Sequence, residues 1–220
     1  SGELWCWGEA SYQQASQTPL SYAQTIQPAL SGEMVIETQQ SEGKICAKTN
    51  DQRLHCWGAD NFRGNEIELP QDGPYSVPLP EQTPIQNMAV SASSVIGVQG
   101  NTEINNDLTL WKWQASNDEA QTLTNTADLV MSEYALAAAQ NGAFCLSLTT
   151  GVQCFGMLWR SHNRNIRDLD FGEQGAQVEG LPANRVWDIA CGTSHCCAWE
   201  VDGVSAYCWG DNSHGQTGDP

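Results

Sequence analysis

The chain has 220 residues, of which 26 are acidic and 9 are basic, so its formal net charge is −17. Such a charge repels phosphate backbones and anionic lipid head groups, which argues against general nucleic-acid binding and against direct membrane insertion. The sequence has no run of about 18 apolar residues that could cross a bilayer. We expect one domain over residues 1–220. Because the first residue is not Met, we also expect that a targeting segment was removed or that the sequence is an excerpt of a longer polypeptide.

A five-residue motif built around an aromatic residue recurs along the chain. Its clearest copy reads Leu-His-Cys-Trp-Gly. The copies occupy residues 4–8, 54–58, 110–114, 152–156 and 206–210. Their last aromatic residues follow one another at intervals of 42 to 56 positions. That interval is the length of one supersecondary unit that stacks on its neighbours, so the sequence predicts an array of repeats.

Each repeat is predicted to be a meander of short antiparallel strands. In the last unit, Gly192 and Gly203 mark turns between three strands. The predicted repeat cores cover about residues 1–8, 34–58, 85–114, 127–156 and 186–210, and the first of them is only the final strand of such a meander. The polar connections could each hold a fourth edge strand; they span residues 9–30, 62–84 and 157–184.

Meanders repeated at this period are typical of a β-propeller, because each small sheet buries its faces only against the neighbouring sheets. The expected fold is therefore all-β: a propeller of four full repeats and a leading partial strand, which could belong to a larger ring. The aromatic residues of the motif are expected to fill the wedges between blades. We expect this role for Trp7, Trp57, Trp113 and Trp209, with Trp5 and Trp111 on the same sides as their partners.

Six of the nine cysteines form three matching pairs, each flanking a polar turn. Two strands folded back at such a turn bring their outer residues within reach of a disulfide. The predicted bonds are Cys46 to Cys56, Cys145 to Cys154 and Cys197 to Cys208. Zinc is the competing interpretation, but zinc sites use closer cysteine spacing, and these pairs lie on separate hairpins. We therefore predict no metal and an oxidising, extracytoplasmic location: secreted, periplasmic or lumenal.

The other three cysteines leave alternatives open. A tight hairpin could bridge Cys191 and Cys196, whereas a bond between the adjacent Cys196 and Cys197 would be strained. Cys6 matches the second cysteine of each pair, so its partner is expected before Ser1, unless it closes the array by bonding to Cys191 or Cys196.

One stretch of the last unit points to a known family. Residues 189–198 (IACGTSHCCA) and 207–218 (YCWGDNSHGQTG) resemble the repeat of the regulator of chromosome condensation family, and residues 34–64 match it more loosely. The resemblance implies a β-propeller, usually with seven blades. It also implies functions that include exchange factors for small GTPases, light sensors, enzyme inhibitors and protein-docking surfaces. Disulfides would not persist in the cytosol or nucleus, so exchange activity on a nuclear GTPase is not expected here.

Candidate functional residues are few. We find no spacing that indicates a hydrolytic site, and we predict no enzymatic activity and no cofactor. In the repeat, His195 and His214 occupy turn positions where a hydrogen-bonding role is expected, and His55 and His162 are expected to be isolated and exposed. The candidate docking loop carries Trp159, Arg160, His162, Arg164 and Arg167. The acidic residues that follow it could instead neutralise it internally.

The predicted function is that of a non-enzymatic interaction or scaffold protein, an accessory subunit of a larger secreted or lumenal assembly with protein partners. Rigid blades with variable connections suit that task. Two alternatives stay open: a secreted lectin with a glycan ligand, and an inhibitor of an extracytoplasmic enzyme.

Overall fold

The computed structural model describes residues 4–8, 20–25, 30, 32–41, 44–58, 74–80, 84–101, 107–114, 119–126, 135–148, 150–158, 169–182 and 185–218. Within these ranges every regular element is a β-strand, and all strand pairs are antiparallel. The described segments accordingly include no helix of the length and apolarity that a membrane span requires. The predicted all-β class is confirmed.

The strands form a leading pair and four blades. The leading pair contains β1 (Trp5–Gly8) and β2 (Leu20–Thr25). Blade 1 contains β3 (Val35–Ser41), β4 (Lys44–Thr49), β5 (Leu54–Gly58) and β6 (Tyr75–Ser76). Blade 2 contains β7 (Ile85–Val90), β8 (Val95–Asn101), β9 (Asp107–Trp113) and β10 (Gln121–Thr126).

The second half of the chain repeats this plan. Blade 3 begins with β11 (Leu136–Ala138), β12 (Phe144–Leu148) and β13 (Gly151–Phe155). A small pair, β14 (Met157–Leu158) and β15 (Leu169–Asp170), then precedes the fourth strand of the blade, β16 (Ala176–Gln177). Blade 4 contains β17 (Val186–Cys191), β18 (His195–Glu200) and β19 (Ala206–Gly210).

The four blades are arranged as a propeller. Their first strands contact one another in chain order: β3 with β7, β7 with β11, and β11 with β17. A fourth strand pairs with the third strand in blades 1, 2 and 3. The connections 9–30 and 62–84 contain one strand each among the described residues, β2 and β6, and the connection 157–184 contains β14, β15 and β16; edge strands in these connections were an open possibility in the sequence.

The motif aromatics of blades 2, 3 and 4 pack backward, onto the preceding blade. Trp113 of blade 2 stacks on Tyr75 of blade 1 with ring centroids 5.5 Å apart. Phe155 of blade 3 and Trp209 of blade 4 lie in buried clusters shared with the blade before each of them. These contacts are the predicted wedge packing. Trp111 is fully buried as well, Trp5 is 51% exposed, and the Trp7 side chain lies outside the described residues.

The motif cysteines of blades 1 and 3 face forward, toward the following blade, because successive side chains of a strand point to opposite faces. Cys56 belongs to the core between blades 1 and 2, and Cys154 to the core between blades 3 and 4. Blade 2 has no cysteine at this position. Its equivalent cross-strand pair is Ile96 and Lys112.

The glycine that ends the motif allows a sharp exit from the strand. Gly58, Gly156 and Gly210 have φ angles of 113°, 77° and 106°, a region that residues with a side chain rarely adopt. At Gly210 a Cβ atom would also lie 2.5 Å from the carbonyl oxygen of Ser194. The chain can therefore turn out of the blade directly beside the neighbouring hairpin.

Candidate functional site

Four disulfides staple the hairpins. The structure joins Cys46 to Cys56, Cys145 to Cys154 and Cys197 to Cys208, each pair directly opposite across two neighbouring strands. The tight hairpin of blade 4 is bridged by Cys191 and Cys196, so the adjacent-cysteine alternative is not adopted. Among the described residues Cys6 is a buried free thiol, and its burial raises the pKa of the thiol.

Three sulfur atoms come together between blades 3 and 4. The Sγ atoms of Cys145, Cys191 and Cys196 lie within 4.8 Å of one another. Thiolates at such distances would suit a soft metal ion, but here each sulfur is already bonded in a disulfide and is no thiolate ligand.

The two ends of the propeller differ in character. The first-turn end carries the turns between the first and second strands of the blades, and hydrogen bonds link these turns from blade to blade. The Ala92 amide donates to the Gln140 carbonyl at 3.0 Å, and the Gln140 amide donates to the Gly192 carbonyl at 3.2 Å. The Thr193 hydroxyl adds a bond of 2.6 Å to the Gln140 side chain. This end therefore satisfies much of its polar backbone internally.

The second-turn end carries the turns between the second and third strands, and it exposes apolar side chains. Ile36 is 50% exposed and Trp187 is 49% exposed. Three further apolar side chains at this end are exposed: Met34, Val201 and Val204. Large apolar surface in contact with water often marks an interaction site, so this end is the candidate site.

Bulges present the central residues of this site. The pairing of the first and second strands shifts by one residue at the same point in blades 1, 2 and 4. The extra residue is Ile36 in blade 1, Gln86 in blade 2 and Trp187 in blade 4. A bulge leaves its residue out of the ladder and redirects its side chain, and bulges are frequent beside functional sites. Blades 1, 2 and 4 thus each present one redirected side chain at the same position along the first strand.

Ion pairs lie beside the apolar residues. In blade 1, Glu33 accepts from Arg53 at 2.6 Å and lies 2.7 Å from His55. In blade 4, Arg185 bridges Glu200 at 3.1 Å and Asp202 at 2.6 Å.

Two turn carboxyls at this end are held in the charged form. The backbone N–H of Val204 and the nearby Arg185 hold the pKa of the Asp202 carboxyl below its usual value. The Thr49 hydroxyl and Arg53 do the same for the pKa of Asp51. The basic side chains here already have acidic partners.

The histidines take structural positions. His55 was expected to be isolated and exposed, and that prediction was wrong: only 9% of it is exposed, because it faces the preceding side of blade 1 and pairs with Glu33. The His195 ring packs against Gly192 at the hairpin turn. His214 is exposed and lies 3.0 Å from the Ser213 hydroxyl.

The loop after the last motif is organised by one carboxylate. Asp211 accepts from the Ser213 hydroxyl and from the Gln216 amide, both at 2.9 Å, while its own N–H donates to Ser194. Burial opposes ionisation of this group, yet the hydrogen bonds from Ser213 and Gln216 hold the pKa of Asp211 below its usual value. The residues of this loop that resemble the family repeat thus stabilise the segment by which the chain leaves blade 4.

The predicted docking loop and a small cleft add little to the candidate site. The candidate docking loop, with Trp159, Arg160, His162, Arg164 and Arg167, lies outside the described residues. A cleft of about 200 Å³ opens at the edge of blade 3 between the turn at Gly151 and strand β16, and Gln153 and Gln177 line it. Its size falls below the range usual for small-molecule sites.

Comparison with known proteins identifies proteins of similar sequence and similar fold. No protein-family model matches the chain. The human E3 ubiquitin-protein ligase HERC2 is 24% identical over 241 aligned positions, which cover 99% of this chain and 5% of HERC2.

Solved structures match at lower identity. Human WBSCR16 aligns with a TM-score of 0.68 at 15% identity, covering 99% of this chain and 60% of that one. Prp20p from Saccharomyces cerevisiae, the yeast RCC1, aligns with 0.66 at 14%, covering 95% and 54%. The ectodomain of the Physcomitrella patens receptor kinase CR4 aligns with 0.55 at 13%, covering 93% and 46%. The chain spans less than two thirds of each of these proteins.

The sheets and these alignments define a β-propeller built from antiparallel meander blades. The chain has the fold of an RCC1-like β-propeller, which its C-terminal repeat predicted, and disulfides staple three of its four blades.

Proposed function

We propose that this propeller is a non-enzymatic interaction module that binds a protein partner through its second-turn end. The observation that carries the proposal is the position of the exposed apolar side chains. In blades 1 and 4 every large apolar side chain described as exposed lies at that end, and Ile36 and Trp187 are presented there by equivalent bulges. Tryptophan buried in the centre of an interface is among the residues that contribute most to affinity.

Charge indicates the kind of partner. The chain carries a net charge of −17, and the arginines beside the apolar residues are already paired with carboxylates. A partner that presents an apolar side chain among basic residues would match this surface, and its approach would be accelerated by long-range attraction. Prp20p offers a parallel for the fold, since that protein binds Gsp1p and histones.

The location that we propose is an oxidising compartment, in which the module serves as an accessory subunit of a secreted or lumenal assembly. Four disulfides support this part of the proposal, because such bonds persist where thiols are not kept reduced. The CR4 ectodomain is a protein of similar fold from a receptor kinase. We do not extend the proposal to a lectin or to an enzyme inhibitor, since no feature of the described residues favours either.

Co-purification with matched variants tests the proposal. Wild-type protein, the double variant I36S/W187S and the control T193A, which alters the opposite end, are purified from the native compartment after chemical cross-linking. We expect a stoichiometric partner with wild type and T193A, and its loss with I36S/W187S, which should still be folded by circular dichroism at the temperature of the experiment. Equal recovery of the partner with all three proteins would show that binding does not use this end.

A further inference from the structure

Two disulfides of neighbouring blades touch each other. The Cys145 Sγ atom of blade 3 lies 3.9 Å from the Cys196 Sγ atom of blade 4. Cys145 is bonded to Cys154, and Cys196 is bonded to Cys191. The contact lies in the apolar core between the blades, and Cys145, Cys154 and Cys196 are completely buried.

The repeat explains why only this pair of blades makes the contact. The forward-facing bond Cys145 to Cys154 has a counterpart in blade 1, Cys46 to Cys56, which meets no second disulfide among the described residues. The backward-facing bond Cys191 to Cys196 belongs to blade 4 alone. The equivalent cross-strand pairs in blades 1, 2 and 3 are Gln40 with Ile45, Val90 with Val95, and Ala138 with Phe144.

We propose that these four cysteines form a redox site, in which reduction of one bond within blade 4 leads, by thiol–disulfide exchange, to a covalent bond between blades 3 and 4. Exchange needs a thiolate next to a disulfide sulfur, and reducing the Cys191–Cys196 bond would create that arrangement. Cys191 is half-buried, whereas Cys145, Cys154 and Cys196 are fully buried, so of these two bonds Cys191–Cys196 is the one that a reductant reaches more easily.

The step balances as follows. A dithiol reductant gives two electrons to the Cys191–Cys196 bond and is itself oxidised to a disulfide, leaving two thiols. The Cys196 thiolate attacks the Cys145 sulfur, the Cys145–Cys154 bond breaks, and Cys154 leaves as a thiolate that takes up a proton. The product has one disulfide, Cys145 to Cys196, and thiols at Cys154 and Cys191. Two bonds within blades are thereby replaced by one covalent bond between blades.

The surroundings set the speed of this reaction. An apolar core raises the pKa of a thiol and lowers its thiolate fraction. The exchange is therefore slow at neutral pH and faster as the pH rises toward the pKa of the thiol.

A variant that frees Cys196 without any reductant tests the proposal. In C191S the Cys196 thiol lies beside the intact Cys145–Cys154 bond. The protein is unfolded in acid, which stops exchange, and alkylated there with N-ethylmaleimide; after digestion, mass spectrometry should find a Cys145–Cys196 cross-linked peptide and alkylated Cys154. The control C56S frees Cys46, which has no disulfide beside it, and we expect Cys46 alkylated with the other bonds unchanged.

A second arm uses the wild-type chain, in case C191S does not fold. One equivalent of dithiothreitol is added under native conditions and, separately, in denaturant. We expect Cys145–Cys196 to be the most abundant non-native bond in the native sample and to lose that preference in denaturant. An alkylated Cys196 with an intact Cys145–Cys154 bond in folded C191S, or no such preference in native wild type, would overturn the proposal.

Discussion

Blade 2 lacks the disulfide of its neighbours, and restoring it tests the equivalence of the repeats. Ile96 and Lys112 face each other at the register position that cysteines occupy in blades 1, 3 and 4. If that equivalence holds, the double variant I96C/K112C will form a disulfide without rearrangement of the backbone. Because this face points to blade 3, the new bond would lie in the interface between blades 2 and 3.

The expected gain in stability is the stabilisation by the new disulfide minus the cost of losing the Ile96 side chain from the core. A cross-link that closes a loop of this length stabilises by about 3 kcal/mol. Shortening the fully buried Ile96 costs about 1 to 2 kcal/mol. Removing Lys112 offsets part of that cost, since burial lowers the pKa of its amine despite the opposing effect of Glu173. We therefore expect a net increase of about 1 to 2 kcal/mol in the free energy of unfolding.

Alkylation of the unfolded but unreduced protein, followed by intact-mass measurement, counts the thiols of I96C/K112C, and urea denaturation measures its stability. We expect the same number of thiols as in wild type and a higher denaturation midpoint. Two additional alkylated cysteines in the folded, air-oxidised variant would refute the equivalence of blade 2 with the other blades. A bond that forms but lowers the midpoint would show that the packing cost was underestimated.

Three further predictions concern the interfaces and the exit loop. Trp113→Ala should lower the free energy of unfolding in urea by about 3 to 5 kcal/mol. Trp187→Ala should lower it by at most about 2 kcal/mol, because half of that side chain is already exposed, and equal losses would contradict wedge packing. Gly97→Ala should cost about 1 to 3 kcal/mol in the same assay, because its Cβ would lie 2.6 Å from Cε2 of the buried Trp111, and an unchanged midpoint would show that the ring moves aside freely. The ionised Asp211 has a lowered pKa in the fold and so contributes stability above about pH 4 that is lost as pH falls through its folded pKa. Asp211→Asn should therefore be less stable than wild type at pH 7, with a smaller difference at pH 3 by urea denaturation, and a constant difference would argue against this role.

Much of the fold could be predicted because the same five-residue motif recurs in each blade, where it meets the same packing requirements. In this motif the aromatic residue fills the wedge between two blades. The cysteine before it points to the opposite face of the strand, and the glycine after it allows the chain to turn out of the blade. The stretch of blade 4 that resembles a known family repeat allowed the propeller architecture to be predicted as well. Fourth strands were harder to locate, since β6 and β16 have two residues each and pair at polar edges where no alternating pattern appears.

The candidate site was largely invisible in the sequence. Ile36 and Trp187 sit in strands where apolar residues normally face the core, and only the bulge beside each one turns it toward solvent. A bulge depends on the pairing register, which a single strand does not encode. His55 shows the same limit, because its partner Glu33 belongs to a segment more than 20 positions away. The contact between Cys145 and Cys196 likewise depends on how two blades meet.

The central claim is a propeller stapled blade by blade, and the disulfide map of the native protein tests it most directly. Non-reducing digestion and mass spectrometry should find Cys46 with Cys56, Cys145 with Cys154, Cys191 with Cys196 and Cys197 with Cys208. Free thiols at Cys46 and Cys56, or a bond between Cys196 and Cys197, would contradict the account.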